Sequence, residues 1–159
     1  MSSSSLASEK TFRSTNQTAF KFLFIMGFCH LLNDTLQSVV PAMFPILKSE
    51  LLLTYTQLGF IAFALNIVSS VMQPIIGWYT DRKPLPYALP IGMLSTMSGM
   101  IMLAIAPNYP LIIVSVIFIG IGSAIFHPEG SRVAYMAAGP RRGLAQSIYQ
   151  VGGNAGQAL

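Results

Sequence analysis

The chain has 159 residues, 53% of them hydrophobic and only 9% charged, and its mean hydropathy is +0.61. A soluble domain carries about 25% charged residues, so the composition excludes an ordinary water-soluble fold and places the chain in a lipid bilayer. Nine basic and five acidic residues leave a net charge of +4, which carries no sign of a nucleic-acid partner, and the single cysteine, Cys29, excludes an internal disulfide and a paired-cysteine metal site.

Residues 1–18 are polar and serine-rich, lack the apolar core of a cleavable signal, and read as a disordered tail. The first expected span covers 22–47 and is interrupted by His30, Asn33, Asp34, Gln37 and Ser38. The first four fall at i, i+3, i+4 and i+7, so they form one stripe on a helix. A second span, 58–79, carries its own stripe of Asn66, Ser69, Ser70 and Gln73, with Pro74 expected to bend it. A charged turn, Asp81-Arg82-Lys83, leads to a third span over 85–106. Pro107-Asn108-Tyr109-Pro110 marks the next turn.

The fourth span, 109–138, opens with eighteen uncharged residues and then carries His127-Pro128-Glu129-Gly130-Ser131-Arg132. A charge at the centre of a spanning helix costs about 2.5–3.5 kcal/mol on insertion scales, so these residues are a functional hypothesis by default. A fifth helix, 144–159, has Gln146, Gln150, Asn154 and Gln157 along one side and Gly152 and Gly156 spaced for close packing. A complete span needs about 20 residues, so the fifth helix reads as incomplete and the chain as the N-terminal part of a longer protein. Lys10, Arg13, Lys21, Arg82, Lys83, Arg141 and Arg142 flank alternate ends of the spans, with Lys48 opposite them. The positive-inside rule then puts the N-terminus in the cytoplasm.

Glu129 and Arg132 lie about 60° apart around a helix and can pair, whereas His127 lies about 160° from Glu129. At a rise of about 1.5 Å per residue, Asp34 lies about 20 Å from the cytoplasmic boundary, Glu129 about 15 Å and Arg132 about 10 Å. If the first and fourth helices face one cavity, Asp34, Glu129 and Arg132 form a charged group able to bind a proton or a polar ligand. His127 joins it only if Pro128 turns the helix. The plainer alternative is a self-neutralising Glu129–Arg132 pair that fixes helix packing. No two histidines have the His-x-x-x-His spacing that puts two ligands on one helical face, so no metal site is expected from His30, His127 and Glu129. A histidine hydrogen-bonded inside the bundle is the expected role of His30.

Gly77-Trp78-Tyr79-Thr80-Asp81-Arg82 resembles the start of the signature loop of the major facilitator superfamily, although Lys83-Pro84-Leu85-Pro86 departs from its basic end. His30-Leu31-Leu32-Asn33-Asp34, Gln73-Pro74, Phe126-His127-Pro128-Glu129, Gly143-Leu144-Ala145-Gln146-Ser147 and Gln150-Val151-Gly152-Gly153-Asn154 together resemble the fosmidomycin resistance transporter branch, over about 22–159. The resemblance implies an all-α major facilitator fold, with this chain as four spans and an incomplete fifth of a six-helix half. The partner it lacks is the C-terminal half of the transporter. It further implies proton-coupled efflux of a small polar drug such as fosmidomycin across the cell membrane, with no cofactor besides the proton gradient and no enzymatic activity. Asp34, Glu129, Arg132, His127, His30 and Gln150 are the candidate proton and substrate residues, and Gly77, Asp81 and Arg82 the gating loop. An importer or uniporter of a small metabolite is the competing transport reading. A membrane-embedded metal-dependent enzyme is the alternative of another class, though no nucleophile or nucleotide loop accompanies its candidate residues.

Overall fold

The computed structural model describes residues 17–83 and 85–159, and six helices occupy them: α1 Phe20–Ala42, α2 Phe44–Glu50, α3 Tyr55–Arg82, α4 Ala88–Ala104, α5 Tyr109–Ala137 and α6 Arg142–Ala158. No strand occurs among the described residues. Three of the helices, α1, α3 and α5, are long and apolar enough to cross a membrane, and α4 is a shorter apolar helix of 17 residues. Large apolar side chains such as Phe22, Phe24, Phe28, Phe60 and Phe63 stay on the outer surface. That costs nothing where the surrounding solvent is itself hydrocarbon.

The first span is not one helix as expected over 22–47. It breaks at Met43 between α1 and α2, because Pro41 and Pro45 each lack the N–H that would continue the ladder. Pro74 and Pro128, by contrast, lie inside uninterrupted helices. The second expected span, α3, begins earlier than expected because Thr54 and Gln57 close a capping box, in which each side chain bonds the other's backbone N–H. The third begins later, at Ala88. Of the tail expected over 1–18, residues 1–16 lie outside the described residues, while Thr18 donates to the Ala138 carbonyl at 2.9 Å and the Ala19 N–H to that of Ala137.

Helix α5 packs between α3 and α4, α1 lies along α6, and α1 crosses α5. Backbone closeness along the α1–α6 seam depends on small residues: a Cβ on Gly152 would collide with the Gly27 carbonyl oxygen, which is backbone and cannot move aside. Two apolar clusters form the core. One gathers Val40, Leu58, Ile61, Leu65, Leu103, Ile112, Val116 and Ile119, and the other Leu23, Met26, Phe126, Ala134, Ala145 and Tyr149. On α1 the buried polar residues His30, Asn33 and Asp34 fall between Met26 of one cluster and Val40 of the other. The candidate site therefore sits at the level where apolar packing is interrupted.

Candidate functional site

A cavity of about 720 Å³ opens between α1, α3, α5 and α6, lined by His30 and Asp34 from α1, Gln73, Gly77 and Trp78 from α3, His127 and Ser131 from α5, and Gln146, Gln150 and Asn154 from α6. Its polar wall arises because the stripes on four helices turn the same way. Asp34 is 1% exposed, and an isolated buried carboxylate would be very costly without partners. It has them: Gln157 donates to Oδ2 at 3.0 Å, Asn33 to Oδ1 at 3.1 Å, and Gln37 reaches Oδ1 at 3.5 Å. Asp34 and Gln157 also line a second cavity of about 250 Å³ bounded by Ser38, Pro41, Phe44 and Asn66. The Asp34–Gln157 pair thus stands in the wall that divides the two spaces.

Both histidines of the sequence converge on this carboxylate. His30 Nε2 lies 3.5 Å from Asp34 Oδ2, and His127 Nε2 lies 3.8 Å from Oδ1. His30 Nδ1 is 2.8 Å from the Tyr149 carbonyl oxygen. A carbonyl only accepts, so Nδ1 carries the hydrogen there and Nε2 is the atom turned to Asp34. The His30 ring stacks on Tyr149 with centroids 4.0 Å apart. It also lies close against Gly153, where a Cβ would strike the imidazole. The Tyr149 hydroxyl in turn donates to the His127 carbonyl at 3.3 Å.

Glu129 and Arg132 are elsewhere. Arg132 Nη1 donates to Glu129 Oε1 at 3.3 Å and to the Thr80 carbonyl at 2.8 Å, and Nη2 pairs with Asp81 Oδ1. The guanidinium caps the C-terminal end of α3, where unsatisfied carbonyls and the helix dipole favour a cation. Glu129 and Arg132 line one space with Leu85, Leu89, Val133 and Met136 and another with Gly77, Asp81, Pro128, Ser131 and Gln146, residues that also border the main cavity, but neither of the two lines the cavity that Asp34 does. The expectation that Asp34, Glu129 and Arg132 face one cavity is corrected here. His127 and Glu129 are two residues apart on a helix and so point to nearly opposite sides, and α5 presents His127, not Glu129, to α1. The pairing of Glu129 with Arg132 expected from their spacing does form.

Of the loop residues, Gly77 borders the main cavity with its Cα side against Pro128, and Asp81 joins the Arg132 network. Arg82 does not join it, because its guanidinium lies over the Trp78 ring at 3.8 Å. Gln150 lines the main cavity as its stripe suggests. The residues that sequence reasoning missed are Tyr149, Gly153 and Asn33 as holders of the His30–Asp34 pair. A tyrosine beside the α6 polar stripe carries no signal of its own, since its contribution is made through a backbone carbonyl and a ring face.

Comparison with known proteins bears on this architecture. The Major Facilitator Superfamily profile matches residues 23–159. The chain is 64% identical over 151 residues to the uncharacterized MFS-type transporter YfnC of Bacillus subtilis (strain 168), a match covering 95% of this chain and 37% of that protein. It is 48% identical over 143 residues to the fosmidomycin resistance protein of Escherichia coli (strain K12), covering 90% of this chain and 35% of that relative. The chain therefore spans little more than a third of the length of these relatives. No solved structure matches it. With its helices packed around a polar cavity and its family profile matched from the first helix to the last residue, the chain belongs to the Major Facilitator Superfamily.

Proposed function

We propose that this chain supplies one wall of a secondary active transporter that exports a small polar drug, such as fosmidomycin, in exchange for protons. The observation that carries the reading is the buried Asp34 carboxylate in the wall of a polar cavity of about 720 Å³. An ionisable residue at membrane depth that faces a cavity marks an ion or substrate path, and cavities at the interface of helical repeats are where alternating access operates. In this reading Asp34 exchanges the proton, the glutamines and Asn154 present hydrogen bonds to the substrate, and the N-terminus lies in the cytoplasm of a cell whose plasma or inner membrane holds the protein. The Arg132–Glu129–Asp81 network then sits at the cytoplasmic end and ties the end of α3 to α5. Drug resistance by the 48%-identical relative supports the substrate class, and the basic residues flanking alternate helix ends support the orientation.

The test uses the full-length protein in sealed vesicles with a pH-sensitive dye. Adding fosmidomycin should drive proton movement, and Asp34→Asn should abolish it while the protein still inserts. Drug-driven proton flux that survives Asp34→Asn removes Asp34 from the mechanism, and flux running toward the cytoplasm with the drug identifies an importer.

A further inference from the structure

We propose that His30, Asp34 and His127 form a binding site for a divalent transition-metal ion of the zinc class, open on one side to the main cavity. Histidine is scarce in this chain, with two residues in 159, yet the two stand on different helices and reach the same buried carboxylate. One ligand atom from each of the three residues lies within 4.8 Å of the other two. The carboxylate is shared out, Oδ2 toward His30 at 3.5 Å and Oδ1 toward His127 at 3.8 Å. Metal–nitrogen and metal–oxygen bonds of about 2.0–2.1 Å at tetrahedral angles put neighbouring ligand atoms about 3.3–3.4 Å apart. The two histidine-to-carboxylate separations are within about half an ångström of that spacing, and the two imidazoles, within 4.8 Å of one another, close the rest by side-chain rotation.

The surroundings are built as they are around metal-bound imidazoles. Such a histidine donates its other ring N–H to a carbonyl or carboxylate, which fixes both tautomer and ring orientation. His30 does so to the Tyr149 carbonyl at 2.8 Å, leaving the Nε2 lone pair toward Asp34. Gln157 and Asn33 hold the Asp34 oxygens at 3.0 and 3.1 Å, the part that supporting hydrogen bonds play for a ligating carboxylate. Tyr149 stacks on the His30 ring and Gly153 lies close against it. Two imidazoles and a carboxylate suit zinc, copper(II) or nickel better than magnesium or calcium, which take oxygen ligands. Three protein ligands leave a fourth position, and here it opens on the cavity, where water or an oxygen of a small polar molecule completes the shell. The His-x-x-x-His rule could not find this site, because the second histidine comes from α5, while on α1 the i, i+4 partner of His30 is Asp34.

The test is read by metal binding and so does not depend on transport. The full-length protein in detergent is titrated with Co²⁺, whose visible ligand-field absorption reports tetrahedral nitrogen and oxygen coordination, and Zn²⁺ is then added to displace it. The wild type is expected to bind Co²⁺ saturably and release it to Zn²⁺. Both His127→Asn and Asp34→Asn should weaken binding by about 10-fold or more. His127→Cys should restore it with a new thiolate-to-cobalt band in the near ultraviolet. His127 is the more exposed ligand, its side chain 25% accessible, so its variants decide the matter if Asp34→Asn misfolds. An unchanged spectrum and affinity in His127→Asn places the metal elsewhere and overturns the proposal. So does the absence of saturable Co²⁺ and Zn²⁺ uptake by wild-type protein that unfolds cooperatively.

Discussion

Helix α5 supplies two polar clusters from positions two residues apart, and they are opposite in kind. His127 joins His30 and Asp34 in a group without a lysine or arginine, enclosed between α1, α5 and α6 and facing the main cavity. Glu129 joins Arg132 and Asp81 in a group where a cation meets two acids and a helix end, on the side of α3 and α4. In the first cluster the carboxylate is held by the side-chain amides of Gln157, Asn33 and Gln37, an arrangement in which a proton or another cation can supply the countercharge. The second is already neutralised from within. Under the proposed function, the two clusters differ in whether the countercharge to the buried acid is supplied by a lysine or arginine of the protein.

The largest expected effect breaks this contrast by function. Asp34→Asn should eliminate drug-driven proton flux in vesicles, whereas Glu129→Gln should leave a substantial rate, since Glu129 is paired with Arg132 and is not among the residues that line the cavity with Asp34. Equal loss in both variants would show that the two clusters act as one.

Arg132→Ala should cost on the order of 2–3 kcal/mol, seen as a lowered thermal midpoint in detergent. It leaves buried Glu129 without a partner and the Thr80 carbonyl uncapped, though Arg132 itself is partly exposed, which holds the loss below that of a fully buried pair. Adding Glu129→Gln should recover part of the loss, and a double mutant no more stable than Arg132→Ala would show that the pairing is not what matters there. Gly152→Ala should destabilise by about 1–3 kcal/mol, because the added methyl meets the Gly27 carbonyl and must push α1 from α6. Its effect should appear in thermal unfolding and also in activity, since the same seam sets the distance from Tyr149 and Gly153 to His30. The smallest change is expected for Asp81→Asn, under about 1 kcal/mol, because the Asp81 side chain is 76% exposed and water screens the pair. A large fall in its thermal midpoint would mean that Asp81 is shielded in the intact protein.

Much of this contrast was legible along the chain and part was not. Angular spacing correctly separated His127 from Glu129 and paired Glu129 with Arg132, since both follow from about 100° per residue on any helix. The rise per residue also gave Asp34 and Glu129 comparable expected depths. Neither quantity says which side of α5 is turned to α1, and on that point the expectation favoured Glu129 over His127. Pro128 was expected to bring His127 inward by bending the helix; α5 continues through Pro128 as one helix, and His127 reaches Asp34.

By itself, then, the sequence determined the membrane setting, the order of the helices, their polar stripes and the resemblance to the superfamily, because these depend on hydrophobic runs and on helical periodicity that each segment carries locally. Only the tertiary structure decided which stripes share a cavity, that Tyr149 orients His30 through a backbone carbonyl, and that Arg132 caps α3 instead of lining the main cavity. Those outcomes rest on how each helix is rotated about its axis, and that rotation is set by packing between helices, at seams such as Gly27 against Gly152, where close approach decides which faces meet.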